Sequence, residues 1–368
     1  MRVTIVAGAR PNFMKIAPII RAIRQANLQG AGLEFRLVHT GQHYDKKMSQ
    51  DFFDQLGIPE PDANLAAGGG TQAEQTAAIM IGFERELMAH PTDLVMVVGD
   101  VTSTMACAIT ARKLCIKVAH VEAGIRSGDW RMPEEVNRIV TDSISDWFFT
   151  TSESAGQNLI RSGVSPDAIF FVGNTMIDTL HQQMDAFMPP ALWQESGLIS
   201  GRYLVMTLHR PSNVDDPQTL RSIIDILEEK LEGIPVVFPV HPRTRANFER
   251  FGLSTRNIIL SEPLSYLEFN YLVKHAKGVI TDSGGITEET TVMGIPCITL
   301  RDSTERPETC TIGTNELIGN DPSKLREAID QLLSGRWKKG GIPPLWDGRA
   351  AERIVSQLVT LKDRITAS

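Results

Sequence analysis

Short apolar runs alternate along this chain with longer stretches in which apolar residues return every three or four positions. Residues 3–6, 35–39, 94–98, 118–121, 147–150 and 169–171 are runs of the first kind. The run Leu94-Val95-Met96-Val97-Val98 has no polar member, the pattern of a parallel strand buried on both faces. Helices are predicted between these runs, over 13–25, 48–56, 72–90, 102–114 and 134–144 and near Gln157. Ile16, Ile19, Ile20 and Ile23 form the apolar stripe of the first. The alternation then restarts, with strands at 203–207, 236–239, 258–260, 278–280 and 297–300. Helices are expected at 218–231, 266–275, 286–293 and 322–333, with a final amphipathic one over 348–365. Two such runs predict two doubly wound α/β domains with parallel sheets. The join falls between Gly173 and Gly201, where a helix over 176–186 meets Pro189-Pro190.

The length of 368 residues agrees with two domains rather than one core. A hydrophobic share of 42% and a charged share of 22% are those of a soluble globular protein. The net charge of −7 argues against a nucleic-acid scaffold and leaves anionic small ligands to local basic clusters. Cys107, Cys115, Cys297 and Cys310 lack metal-ligand spacing, and two lie in apolar runs, as expected of buried thiols in a reducing compartment. The apolar amino terminus stops at Arg10-Pro11, too short for a signal peptide, and no apolar run is long enough to span a membrane. A cytoplasmic protein with no membrane partner is expected.

Ligands of open α/β sheets bind beyond the carboxyl ends of the strands. Here those ends carry Arg10, the segment 39–45, Asp100, Glu122, His209, His241 and Ser283, and two facing domains place the expected site in the cleft between them. The stretch from Thr281 to Glu308 holds the densest chemistry. A strand ends at Thr281-Asp282, and Ser283-Gly284-Gly285 reads as a tight turn into a helix whose free N–H groups and dipole suit a phosphate. Glu288 or Glu289 is placed to accept from a ribose diol, and Arg306 to clamp a diphosphate. Asp100, Glu122 and Glu134 form a carboxylate trio suited to acid–base work, although Asp100 and Glu134 also sit where helix caps do. His209-Arg210 suits proton transfer or phosphate contact. Arg10 fits a diphosphate contact, whereas Lys15 fits either the site or a solvated face. There is no dinucleotide fingerprint, Walker loop, serine elbow or His/Cys cluster, so neither a cofactor nor a metal is expected.

These segments resemble the non-hydrolysing UDP-N-acetylglucosamine 2-epimerase family nearly end to end. The resemblance is carried by GARPNFMK (8–15), TGQHYD (40–45), GDVTST (99–104), HVEAGIRS (120–127), RMPEEVNR (131–138), LHR (208–210), TDSGGITEE (281–289) and TERPE (304–308). It implies a glycosyltransferase-B fold. The amino-terminal Rossmann-like domain would span 1–172 plus a returning helix over 352–368, and the UDP-binding domain 173–351. A homodimer without cofactor is implied. The reaction would epimerise C2 of the sugar by eliminating UDP to 2-acetamidoglucal and adding it back. The resemblance assigns catalysis to Asp100, Glu122, Glu134 and His209. It assigns substrate binding to Arg10, Lys15, Arg138, Phe269 (through its backbone), Ser283, Gly284, Gly285, Glu289 and Arg306. Many members take a second nucleotide sugar as activator, but His43-Tyr44-Asp45 and the arginine-free region around Gly68-Gly69-Gly70 do not match its contacts. GARP and GQHYD also occur in sister enzymes acting on UDP-2,3-diacetamido-2,3-dideoxy-glucuronate, while 304–307 is closer to the N-acetylglucosamine enzymes. A UDP-sugar glycosyltransferase keeps the fold and changes the reaction. A non-catalytic nucleotide-sugar binder would gain nothing from three acids.

Overall fold

The computed structural model describes residues 1–41, 53, 56–240 and 242–366, without the side chain of Arg10. His43, Tyr44, Asp45, His241 and, except for Phe53 and Leu56, the helix expected over 48–56 lie outside the described residues. The chain divides into two compact units, Met1–Thr179 with Pro344–Ser368, and Leu180–Pro343.

The first unit holds seven parallel strands: β1 (Arg2–Ala7), β2 (Glu34–His39), β3 (Ala63–Asn64), β4 (Leu94–Val98), β5 (Lys117–Val121), β6 (Trp147–Thr150) and β7 (Ile169–Phe171). Their order across the sheet is 3-2-1-4-5-6-7. The second unit holds six: β8 (Leu204–Thr207), β9 (Val236–Pro239), β10 (Ile258–Ser261), β11 (Gly278–Thr281), β12 (Cys297–Thr299) and β13 (Asn315–Leu317), in the order 10-9-8-11-12-13. Both sheets start in the middle, build outwards one way, then return and build the other way. This is the Rossmann-like order, twice, and the pair makes the glycosyltransferase-B fold. Each sheet has a switch point where the direction of winding reverses, between β1 and β4 in one and β8 and β11 in the other, and there the strand ends open for a ligand.

All five residues of β4 are buried, as its unbroken apolar run requires. The first helix, Arg10–Leu28, begins earlier than the expected position 13, because Pro11 in its first turn has no N–H to lose there. It also runs through Pro18, which cannot donate to the Met14 carbonyl four residues back. The Thr179 hydroxyl donates to that carbonyl instead, at 2.6 Å.

Thr179 therefore belongs to the first unit, which continues past residue 172. The unit resumes at Pro344, ahead of residue 352, for a similar reason. The buried Asp178 carboxylate accepts the N–H groups of Ala350 (3.0 Å) and Ala351 (2.7 Å), capping the final helix Ala350–Thr366. Trp346 Nε1–H donates to the Thr151 carbonyl at 3.0 Å. The final helix packs on Arg10–Leu28. Among the described residues no helix is long and apolar enough to cross a membrane.

Candidate active site

At the switch point of the first sheet the chain turns from β1 into its helix through Gly8. A Cβ there would lie 2.1 Å from Ser103 Oγ, so only glycine lets the turn come this close to the helix after β4. Asn12 ties the two together. Its Oδ1 accepts from the N–H groups of Gly8 (3.1 Å) and Ala9 (3.0 Å), and its Nδ2 donates to the Val98 carbonyl (2.9 Å).

One turn further on, Lys15 reaches inward. Its Nζ donates to Glu122 Oε2 at 2.5 Å, with 13% of the lysine side chain and 3% of the glutamate exposed. Lys15 is thus a partly buried partner of a strand-end acid and not a solvated face. Val98 and Val121 are register partners, so Asp100 and Glu122 leave neighbouring strand ends. Glu122 takes φ +68°, a left-handed conformation that costs a non-glycine residue about 1–2 kcal/mol. Backbone strain of this kind is held only where surrounding contacts fix it, and it concentrates at functional sites.

Asp100 is partly exposed. Arg138 donates to its Oδ2 through Nε (3.1 Å) and Nη2 (2.6 Å), and Asn137 Nδ2 donates to its carbonyl (2.8 Å). Oδ1 carries neither arginine bond. Glu134, half-buried in the first turn of the Pro133–Ile144 helix, has no hydrogen-bond partner among the described residues. Its neighbour Glu135 is buried instead. Glu135 accepts from Arg138 Nη1 (2.8 Å) and from the N–H groups of Ser127 (2.9 Å) and Gly128 (3.0 Å). Burial opposes its charge, but those donors hold its carboxyl below the usual range. Arg138 is therefore clamped between Asp100 and Glu135.

The second switch point is built the same way. Thr207 and Thr281 share a 2.7 Å hydroxyl bond at the ends of β8 and β11. The buried Asp282 accepts from the N–H groups of His209 (3.1 Å) and Arg210 (2.9 Å), from Asn213 Nδ2 (2.9 Å), and lies 2.7 Å from His209 Nδ1. Burial works against the charge of Asp282, and His209, the Arg210 N–H and Asn213 hold its carboxyl below the ordinary value. An ionised Asp282 accepts a hydrogen bond from Nδ1–H, which leaves Nε2 of this largely exposed ring without that proton.

The helix Gly284–Met293 begins at Gly284, so the two glycines are its first residues and not a preceding turn. Neither has positive φ, and the two differ in what surrounds them. A Cβ on Gly284 would come 2.7 Å from Glu305 Oε1, whereas Gly285 faces open space. Ser283 at the N-cap makes no side-chain bond to the helix, so first-turn N–H groups stay available to an anion.

Arg306, expected to clamp a diphosphate, is buried and pairs with Glu288 at 2.5 Å. Glu289 Oε1 accepts from Tyr266 O–H at 2.8 Å, and burial, reinforced by Glu288, raises its carboxyl to about 7. Phe269 is half-buried in the Tyr266–His275 helix, and its N–H is committed to the Ser265 carbonyl at 2.9 Å. Arg10 enters its helix at the first switch point, with its side chain outside the described residues.

The first unit thus gathers Lys15, Asp100, Glu122 and Arg138, and the second gathers His209 with Ser283, Gly284 and Gly285; no contact ties Glu134 to the others among the described residues. Sequence reasoning missed Asn12, Glu135 and Asp282, all of which orient the others. The signal for Glu135 was present: Glu135, Arg138 and Asp142 recur at helical spacing on one buried face.

The sequence profile of the UDP-N-acetylglucosamine 2-epimerase family matches residues 26–359. A UDP-N-acetylglucosamine 2-epimerase of Methanocaldococcus jannaschii is 40% identical over 367 residues, covering 96% of this chain and 98% of the relative. A UDP-2,3-diacetamido-2,3-dideoxy-D-glucuronate 2-epimerase of Pseudomonas aeruginosa is 39% identical over 365 residues, covering 98% of this chain and 100% of the relative. The crystal structure of the M. jannaschii enzyme in complex with UDP-GlcNAc and UDP superposes with a TM-score of 0.87 at 39% identity, over 98% of this chain and 100% of that one. With the profile spanning most of its length and such relatives matched end to end, the chain belongs to the UDP-N-acetylglucosamine 2-epimerase family of isomerases.

Proposed function

We propose that this protein interconverts UDP-N-acetylglucosamine and UDP-N-acetylmannosamine by inverting C2. The observation that carries the reading is the pair of carboxylates, Asp100 and Glu122, on register-partnered strand ends, each matched to a cation of its own unit. The C2–H bond is a weak acid, so a positioned base must act while charge leaves on the diphosphate. A carboxylate takes the C2 proton, the C2–H electron pair becomes the C1=C2 bond of 2-acetamidoglucal, and the C1–O bond breaks with its electrons on the UDP oxygen. In the return, UDP oxygen adds to C1 and an acid delivers a proton to the opposite face of C2.

Asp100, Glu122 and Glu134 supply base and acid, with His209 Nε2 as a further proton carrier. Arg10, Lys15, Arg138, Ser283, Gly284, Gly285, Glu289, Arg306 and Phe269 hold the nucleotide sugar. The first turn of the Gly284–Met293 helix takes the diphosphate.

Incubation with UDP-N-acetylglucosamine in deuterated water, without acceptor, is expected to give both epimers labelled at C2. Absence of label would reject the reading; transfer of sugar only when an acceptor is added would identify a glycosyltransferase. The full-length similarity to the Pseudomonas relative favours a second reading, in which the sugar is UDP-2,3-diacetamido-2,3-dideoxy-glucuronate, and label in that sugar alone would establish it. We also infer a cytoplasmic homodimer, for which light scattering would give twice the 40.6 kDa of the chain.

A further inference from the structure

We propose that a buried pair, His120 and Asp142, is the positioning element that fixes Asp100 and Glu122 relative to each other; this rests on the epimerase reading above. His120 lies on β5, two residues before Glu122, and is fully buried. Its Nε2 is 2.8 Å from the carbonyl of Gly99, the residue before Asp100, and its Nδ1 is 2.7 Å from Asp142 Oδ1. A carbonyl only accepts, so Nε2 carries a proton, and another must lie between Nδ1 and the carboxylate, since facing lone pairs would repel.

The other oxygen of Asp142 accepts from the N–H of Gly124 (3.1 Å), two residues after Glu122, and from Arg126 Nη1 (2.6 Å). Asp142 also sits one turn beyond Arg138 on the Pro133–Ile144 helix, and Arg138 grips Asp100. One buried pair therefore tethers the end of β4, both flanks of the left-handed Glu122, and the helix that supplies the Asp100 clamp. Burial works against the charge of Asp142, yet His120 and Arg126 hold its carboxyl below the ordinary value, as a fixed charge in such a tether requires. An apolar pair could fill the same space at least as favourably, so this arrangement is suited to fixing geometry more than to adding stability.

The test compares Asp142→Asn, His120→Asn and His120→Gln with the wild-type protein, and Arg126→Gln as a milder variant at a partly exposed position. Wild-type labelling at C2 is the control that carries the epimerase reading; the variants carry this one. Asp142→Asn and His120→Asn are expected to lower kcat about 100-fold, the effect of a misplacement near 1 Å, with KM and the number of UDP-binding sites little changed. The primary isotope effect with C2-deuterated substrate is expected to rise, because proton transfer becomes the slow step. His120→Gln places an amide nitrogen near the former Nε2 and is expected to recover part of kcat. Arg126→Gln is expected to lower kcat less, again with a raised isotope effect. Loss of kcat in proportion to lost UDP-binding sites, with an unchanged isotope effect, would mark a merely structural role and overturn the proposal. Wild-type kcat in the variants would overturn it as well.

Discussion

Lys15 and Glu122 illustrate what a single side chain decides. The ammonium lies 2.5 Å from Oε2, so Lys15→Met removes a contact that fixes the orientation of the Glu122 carboxylate. Turnover of that variant is expected to fall at least about tenfold in a steady-state assay, and wild-type turnover would show that the contact is not needed. Glu289 gives the stability counterpart. Burial, with Glu288 nearby, raises its carboxyl from 4.5 to about 7 against the Tyr266 bond. A carboxyl raised on folding contributes stability that is fully present below its unfolded value and lost as pH rises through the folded one. Glu289→Gln removes that loss, so its melting temperature relative to wild type is expected to be higher at pH 8 than at pH 5. Equal differences at both pH values would contradict the assignment. The acids themselves were legible because strand ends expose them. The burial of Lys15 was not, since its partner lies 107 residues away and no local period reports it.

Among the elements, the helix after β11 is the one on whose first turn the proposed diphosphate contact depends. Gly284 is packed beneath Glu305 and Gly285 faces open space, so a methyl group is crowded at the first and free at the second. Gly285→Ala is expected to leave the melting temperature unchanged or slightly higher, as alanine favours a helix. It is expected to weaken UDP about tenfold or more by standing between the first-turn N–H groups and the diphosphate. Calorimetric titration with UDP checks this, and wild-type affinity would place the diphosphate elsewhere. The strands of both sheets were legible as apolar runs, with two exceptions. The edge strand β3 has only two residues, and β13 (Asn315–Leu317) has a single apolar one, so neither shows an apolar run. The start of the first helix was hidden by Pro11, which reads as a breaker in the sequence and acts as a first-turn residue in the fold. Glu135 was hidden by its neighbour, because two adjacent acids at a helix start look alike until the helix phase buries one and exposes the other.

For the whole molecule, the same winding order twice gives two switch points, and the proposed chemistry divides between them. Carboxylates with matched cations belong to the first unit, and the anion-receptive helix start and the Asp282-oriented His209 to the second. That division was foreshadowed by the two runs of alternating pattern, and the join expected between Gly173 and Gly201 contains the crossing after Thr179, but what fixes that crossing was not legible. It depends on Asp178 capping a helix 172 residues away and on Thr179 supplying the donor that Pro18 lacks. The most direct measurement of the divided scheme pairs UDP titration with C2 deuterium labelling in Asp100→Asn and Glu122→Gln. The account predicts UDP affinity close to wild type in both variants and labelling slowed by about 100-fold or more. Labelling at the wild-type rate in either variant would contradict it.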